Sequence, residues 1–214
     1  MNYNEIMQNV RADRIEAAID AAAELYLEQG IDQAKMTDIA QRSQLGVASL
    51  YRYFGTKQRF TIRVAARIWE QQDSMYEGVY ESDYYRELPG IRQAEELMKI
   101  FHVLLTGHPG FLRFVADFDA YIMREQIAPE DLNEYESSVL NARALMDKAL
   151  KKGFADGTVR RDIDVELFYN TATHSLMALA QKLAGGRILS SDAEDGGEKE
   201  ILHLIGILVS YIKA

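Results

Sequence analysis

The 214-residue sequence contains no cysteine. That excludes disulfide staples, thiolate metal sites and thiol nucleophiles, and it agrees with a reducing, cytoplasmic setting. Only three prolines stand against many Ala, Leu, Glu and Gln, so little interrupts helix formation and an all-α fold is expected. No alternating strand pattern appears. Long hydrophobic runs are also missing: the longest, Ile201 to Ile212, is interrupted by His203 and is too short to span a bilayer. The N-terminus lacks the basic-then-apolar pattern of a secretory signal. No membrane association is therefore expected. The four histidines (His102, His108, His174, His203) show no metal-ligand spacing, and there is no phosphate-cradling glycine loop or nucleophile beside a base. No catalytic residue, metal or cofactor is expected.

What is present begins with charge. A net charge of −9 argues against a nucleic-acid partner until its distribution is considered. Between Gln33 and Arg67 lie seven cations (Lys35, Arg42, Arg52, Lys57, Arg59, Arg63, Arg67) and one acid, Asp38. A local excess of +6 inside an acidic protein is the footprint of a DNA-contacting face, with a solvated basic surface as the alternative. From Thr61 onward 17 cations face 25 acids, so that part is not expected to touch DNA.

Apolar periodicity predicts about nine helices, at 11–29, 36–43, 47–53, 56–75, 91–107, 110–126, 129–152, 164–184 and 198–213. Gly30 is the expected stop of the first and Thr56 the expected cap of the fourth. The polar stretch 77–89 and the run Ser190 to Gly197 read as loops. Residues 38–57, DIAQRSQLGVASLYRYFGTK, carry the most information. Ile39 and Ala40 pack one short helix, Leu45 lies in a turn, and Leu50 and Phe54 anchor a second short helix. Two short helices joined by a tight turn form the motif that lays its second helix in the major groove. Small side chains at Val47, Ala48 and Ser49 permit close approach to base edges. Tyr51, Arg52, Tyr53 and Lys57 are donors or cations suited to phosphates.

With Ala21-Ala22, Tyr26 and Gly30, then Asp38-Ile39-Ala40, then Leu50-Tyr51-Arg52-Tyr53-Phe54 and Lys57, residues 14–65 resemble the DNA-binding domain of the tetracycline-repressor (TetR) family. Three positions depart from that pattern. Lys35 stands where the family often has a capping Thr, Gln44 where the turn usually has Gly, and Gly46 where a Ser commonly caps the recognition helix. The resemblance implies that Tyr51, Tyr53 and Lys57 hold the DNA backbone, with Lys35 and Arg52 nearby, while Val47, Ala48 and Ser49 face bases. It also implies a three-helix DNA-binding domain over 1–60 and a helical domain over 61–214 that dimerises and often holds a small effector.

The helix at 198–213 is apolar around well over half its circumference, which calls for a second burying partner. In the helix at 164–184, Phe168, Ala172, Leu176, Leu179 and Leu183 line one side, and Leu167, Thr171, Ser175 and Ala178 form a second strip of smaller residues. A homodimer interface is expected at Phe168, Ala172, Ser175, Leu179, Ile201, Leu204 and Leu208, with enclosure inside one subunit as the alternative. A pocket is expected among Trp69, Tyr76, Phe101, His102, Phe118, Asp119, Met146 and His174. Asp119 is the singular member, an acid whose wheel direction is shared by Leu112, Val115, Ile122 and Met123, so that it calls for a partner or a cationic ligand. The expected function is a repressor that binds near-palindromic double-stranded operator DNA and is released by a small, largely apolar effector. A regulator of the same fold answering to a protein or acting as an activator stays open, as does a helical enzyme or carrier with a vestigial helix-turn-helix.

Overall fold

A computed structural model describes residues 3–74, 77–139, 141–186 and 197–214; apart from one extended pair, Val159 and Lys213, the regular elements among them are helical. In chain order they are α1 (Tyr3–Gln29), α2 (Met36–Arg42), α3 (Val47–Phe54), α4 (Lys57–Ser74), α5 (Glu77–Tyr80), α6 (Asp83–Glu87), α7 (Gly90–Gly107), α8 (Pro109–Glu125), α9 (Asn133–Val139), α10 (Asn141–Asp156), α11 (Val165–Ala184) and α12 (Glu198–Ile212). A 3-10 turn, Pro129–Leu132, precedes α9. The polar stretch 77–89 holds α5 and α6, the latter begun by Ser82, whose hydroxyl accepts the Tyr85 N–H at 3.2 Å. Of the helix expected at 129–152, Pro129–Leu132 is a 3-10 turn, and α9 and α10 lie on either side of Leu140, which is outside the described residues. Of the loop expected at Ser190 to Gly197, all but Gly197 lies outside the described residues. Among the described residues no helix is long and apolar enough to cross a membrane.

The chain forms two compact units, Met1–Asp73 with Ala116–Val139, and Ser74–Val115 with Leu140–Ala214. In the first, Ala18, Ile19, Ala22, Tyr26, Ile39, Leu50, Phe60 and Phe118 are buried. A polar pair in that core satisfies itself: Tyr26 Oη and Thr61 Oγ1 lie 2.9 Å apart. Gly30 ends α1 in the left-handed region (φ +84°), its N–H reaching the Tyr26 carbonyl. The next N–H, that of buried Ile31, donates to Asp117 of α8 at 2.7 Å. A side chain at Gly30 would come within 3.2 Å of the same carboxylate, so the turn requires glycine twice over.

In the second unit α7 packs against α10, α11 and α12. Gly90 and Gly153 let α7 and α10 cross backbone to backbone: a Cβ on Gly90 would sit 2.0 Å from the Gly153 nitrogen. Gly153 is therefore an interior residue of α10 rather than the helix break its sequence context indicates. The first N–H groups of α7 find caps from the far end of α10, with Gly90 donating to Asp156 at 2.8 Å and Ile91 to Thr158 Oγ1 at 3.1 Å. The chain terminus returns here, Arg160 N–H bonding the Ile212 carbonyl and Ala214 N–H that of Thr158.

Candidate nucleic-acid interface

Helices α2 and α3 pack together across the turn Ser43 to Gly46. The turn is closed by Leu45 N–H to the Ala40 carbonyl at 2.8 Å and by the Ser43 hydroxyl to the Ile39 carbonyl at 2.7 Å. Gln44 adopts φ +57°, so the position where the family pattern has glycine demands a left-handed backbone in this chain too. Lys35 and Gly46 begin α2 and α3 with no side-chain cap, leaving the first N–H groups of α3 open to an outside acceptor.

Leu50 is fully buried, and Phe54 lies against Phe60 with ring centroids 4.5 Å apart; these two fix the inner face of α3. Ala48, Tyr51 and Arg52 are exposed, and Val47, Ser49 and Tyr53 are half-buried. The structure thus brings together on α3 the residues expected to meet bases and those expected to meet the backbone. Lys35 is exposed at the start of α2. Lys57, half-buried, opens α4 with its ammonium 3.4 Å from the Ile31 carbonyl, and Thr56 caps that helix by accepting Arg59 N–H at 3.2 Å.

The seven expected cations divide into two groups. Arg42 is paired with Glu28 and Glu24, Arg63 with Glu134, and Arg67 with Glu16, Asp20 and Glu70. Those three are neutralised within the unit. Lys35, Arg52, Lys57 and Arg59 have no carboxylate partner among the described residues. Two cations missed by a count that began at Gln33, Arg11 and Arg14, join them from α1. The Arg11 and Arg52 guanidinium carbons stand 5.5 and 5.2 Å from the centre of the Tyr53 ring. Hydrogen bonding from Arg52, and secondarily from Arg14, holds the Tyr53 phenol below its usual range. The signal was available in sequence: at 100° per residue, Arg11 and Arg14 fall within about 40° of Ala18, so the core-facing stripe of α1 turns cationic as it leaves the core.

The expected pocket residues are divided between the two units. In the first unit Trp69 donates its indole N–H to Tyr135 Oη at 2.9 Å, and Phe118 lies 4.8 Å from the same ring. Burial pushes the Tyr135 phenol up to about 12, opposed by the Trp69 bond and assisted by the charge of Asp119. Asp119 itself is exposed, a correction to its expected burial among apolar neighbours. Its part of α8 faces outward, as Met123, 79 % exposed, also shows. In the second unit Met146 is buried and Phe101 half-buried, while His174 is exposed. His102 places a buried Nε2, with no hydrogen-bond partner among the described residues, 3.4 Å from Glu198 of α12. Tyr76 lies outside the described residues.

The expected interface needs a larger correction. Phe168, Ala172 and Ile201 are buried inside their own unit, because that strip of α11 and α12 packs on the unit's core. Ser175, Leu179, Leu204 and Leu208 are half-buried flanks. The outward strip is the other one: Leu167 is 63 % exposed, Thr171 and Ala178 are exposed, and Leu202, Ile207 and Tyr211 continue the apolar surface on α12.

Comparison with known proteins bears on the helix-turn-helix most directly. Residues 18–64 match the family model of bacterial regulatory proteins, tetR family. The HTH-type transcriptional repressor KstR of Rhodococcus jostii is 30 % identical over 74 residues, which is 35 % of this chain and 35 % of that repressor; the match thus spans about a third of the relative's length. Among solved structures, the ketosteroid transcriptional regulator KstR2 of Mycobacterium tuberculosis superposes with a TM-score of 0.60 at 16 % identity, covering 94 % of this chain and 95 % of its own. The transcriptional regulator FadR of Bacillus subtilis, solved with stearoyl-CoA, gives 0.62 at 19 %, covering 92 % and 98 %. At those identities the structures speak for the fold alone. The family is one of regulators rather than enzymes. The family match falls on the helices that build the α2–turn–α3 motif, so residues 18–64 are what the chain shares with the bacterial regulatory proteins of the tetR family.

Proposed function

We propose that the chain is a sequence-specific transcriptional repressor that acts as a homodimer in the cytoplasm. In this reading residues 1–60 form the DNA-binding domain, with α3 in the major groove of a near-palindromic operator, and residues 61–214 answer to a small, largely apolar effector. The observation that carries it is α3 itself. Its first N–H groups lack a side-chain cap, small residues stand at its start, and Tyr51 and Arg52 are exposed beside cations that no carboxylate among the described residues neutralises. The outward apolar strip of α11 and α12 supports a two-fold pairing of subunits. The effector reading draws on the stearoyl-CoA complex of the similarly folded FadR, with Phe101, His102 and Met146 as candidate lining in the second unit.

The test is selection from a randomised duplex pool by the wild type, Lys57→Ala and Ala48→Lys. The wild type should recover a two-fold symmetric motif with half-sites about one helical turn, or a multiple of it, apart. Lys57→Ala should weaken all duplexes alike and reduce the salt slope by about 0.9 per subunit, whereas Ala48→Lys should change the recovered bases. Recovery of no motif by the wild type defeats the reading. Native mass spectrometry of the purified protein, with a retained small molecule as the expected result, tests the effector.

A further inference from the structure

Arg11 and Arg14 precede the segment matched by the family model, and the helix-turn-helix motif as such gives them no role. Both are exposed on α1, one turn apart, on the continuation of the face that carries Ala18 into the core. Arg11 and Arg52 converge on Tyr53, their guanidiniums standing over its ring, and Arg14 lies one turn along α1 from Arg11 on the same exposed face.

This gathering of like charge contrasts with the treatment of other arginines in the unit. Arg67 crosses to α1 to take Glu16 and Asp20, and Arg42 takes Glu24 and Glu28, so four acids of the same helix are committed elsewhere. Glu5 and Asp13 remain on α1, but neither is ion-paired to Arg11, Arg14 or Arg52 among the described residues. Two cations held over one aromatic ring, with a third one turn along α1, form a site for an external anion with several acceptor oxygens. The platform belongs to α3, so that anion lies on the flank of whatever α3 reads.

We propose that Arg11 and Arg14 of α1, together with Arg52, clamp phosphates of duplex DNA beside the groove occupied by α3, with Tyr53 as the residue that positions them. The clamp rests on the DNA-binding reading above and extends it to a second element outside the helix-turn-helix. It contributes affinity without sequence information, because phosphates are alike at every step.

The test uses the full chain, a selected duplex and a scrambled duplex of equal length, with binding followed by fluorescence anisotropy from about 50 to about 200 mM salt. Arg11→Ala/Arg14→Ala should weaken both duplexes by the same factor and reduce the salt slope by about 1.8 per subunit, two phosphates at about 0.9 each. The recovered sequence motif should not change. Arg11→Lys/Arg14→Lys keeps the charges and should keep the wild-type slope. Both positions are exposed, so a wild-type thermal melt of the alanine pair is expected and separates lost contacts from lost folding. Wild-type protein that binds duplex while the alanine pair retains its affinity and slope overturns the clamp alone. A lysine pair that loses the slope also overturns it. Wild-type protein that binds neither duplex overturns both the clamp and the DNA-binding reading.

Discussion

Replacing Gln44 with glycine should stabilise the first unit. Gln44 sits at φ +57° in the turn between α2 and α3, is exposed, and makes no side-chain hydrogen bond. A left-handed backbone costs an L-residue roughly 1–2 kcal/mol, a penalty that glycine escapes. Glycine returns about 0.4–1 kcal/mol of that through the greater freedom of its unfolded chain. The net gain for Gln44→Gly is therefore about 0.5–1 kcal/mol. Because the side chain is exposed and makes no hydrogen bond among the described residues, Gln44→Ala should be close to neutral. Gln44→Asn should gain part of the effect, since Asn tolerates this region, and Gln44→Val should lose about 1 kcal/mol, since a β-branched residue does not. Trp69 is the sole tryptophan and belongs to the same unit, so its fluorescence during urea unfolding follows that unit specifically. Midpoints should fall in the order Gly, Asn, Gln with Ala, then Val, at unchanged slope. A glycine variant less stable than wild type, or a valine variant equal to it, would refute the argument from backbone conformation.

Asp117→Ala should destabilise the first unit by about 1–3 kcal/mol, because it strands the buried Ile31 N–H, while Asp117→Asn, which keeps an acceptor oxygen, should cost less. The same tryptophan titration reads both, and equal effects from the two substitutions would remove the hydrogen bond as the cause. Ile207→Glu places a charge on a side chain 52 % exposed in the single chain, so the subunit should stay folded and sediment as a monomer. A dimer that survives it would take this strip out of the interface.

The helix-turn-helix was legible because its determinants are local: Ile39, Ala40 and Leu50 bury themselves within a few residues of the turn they define. Its strained point was legible as well, since Gln44 departs from the family pattern where the backbone departs from the usual region. Residues governed by distant partners were not. On α11, Phe168 with Ala172 and Leu167 with Thr171 offer two strips of similar character, and only the packing of α7 decides which turns inward. Gly153 carries the composition of a helix end, yet it serves a backbone approach to Gly90, 63 positions earlier. Asp119 was misplaced because its wheel direction, shared with buried Val115 and Leu112 one and two turns earlier, has turned outward by Asp119 and Met123. The cation count failed in both directions: Arg42, Arg63 and Arg67 are neutralised by acids remote in sequence, whereas Arg11 and Arg14 reach α3 only through the fold.

The contact between Gly90 and Gly153 makes α7 a lever with a fixed fulcrum. At that end the two backbones touch, and Asp156 and Thr158 hold the first N–H groups of the helix. The 18 residues of α7 extend about 27 Å from there at 1.5 Å per residue. A rotation of about 5° about the fulcrum displaces the far end by about 2 Å over that length and leaves the crossing intact. The far end, at Phe101, His102 and Leu105, is where such a rotation would be felt, and amide exchange should be slowest around Ala94 and Leu150, beside the crossing.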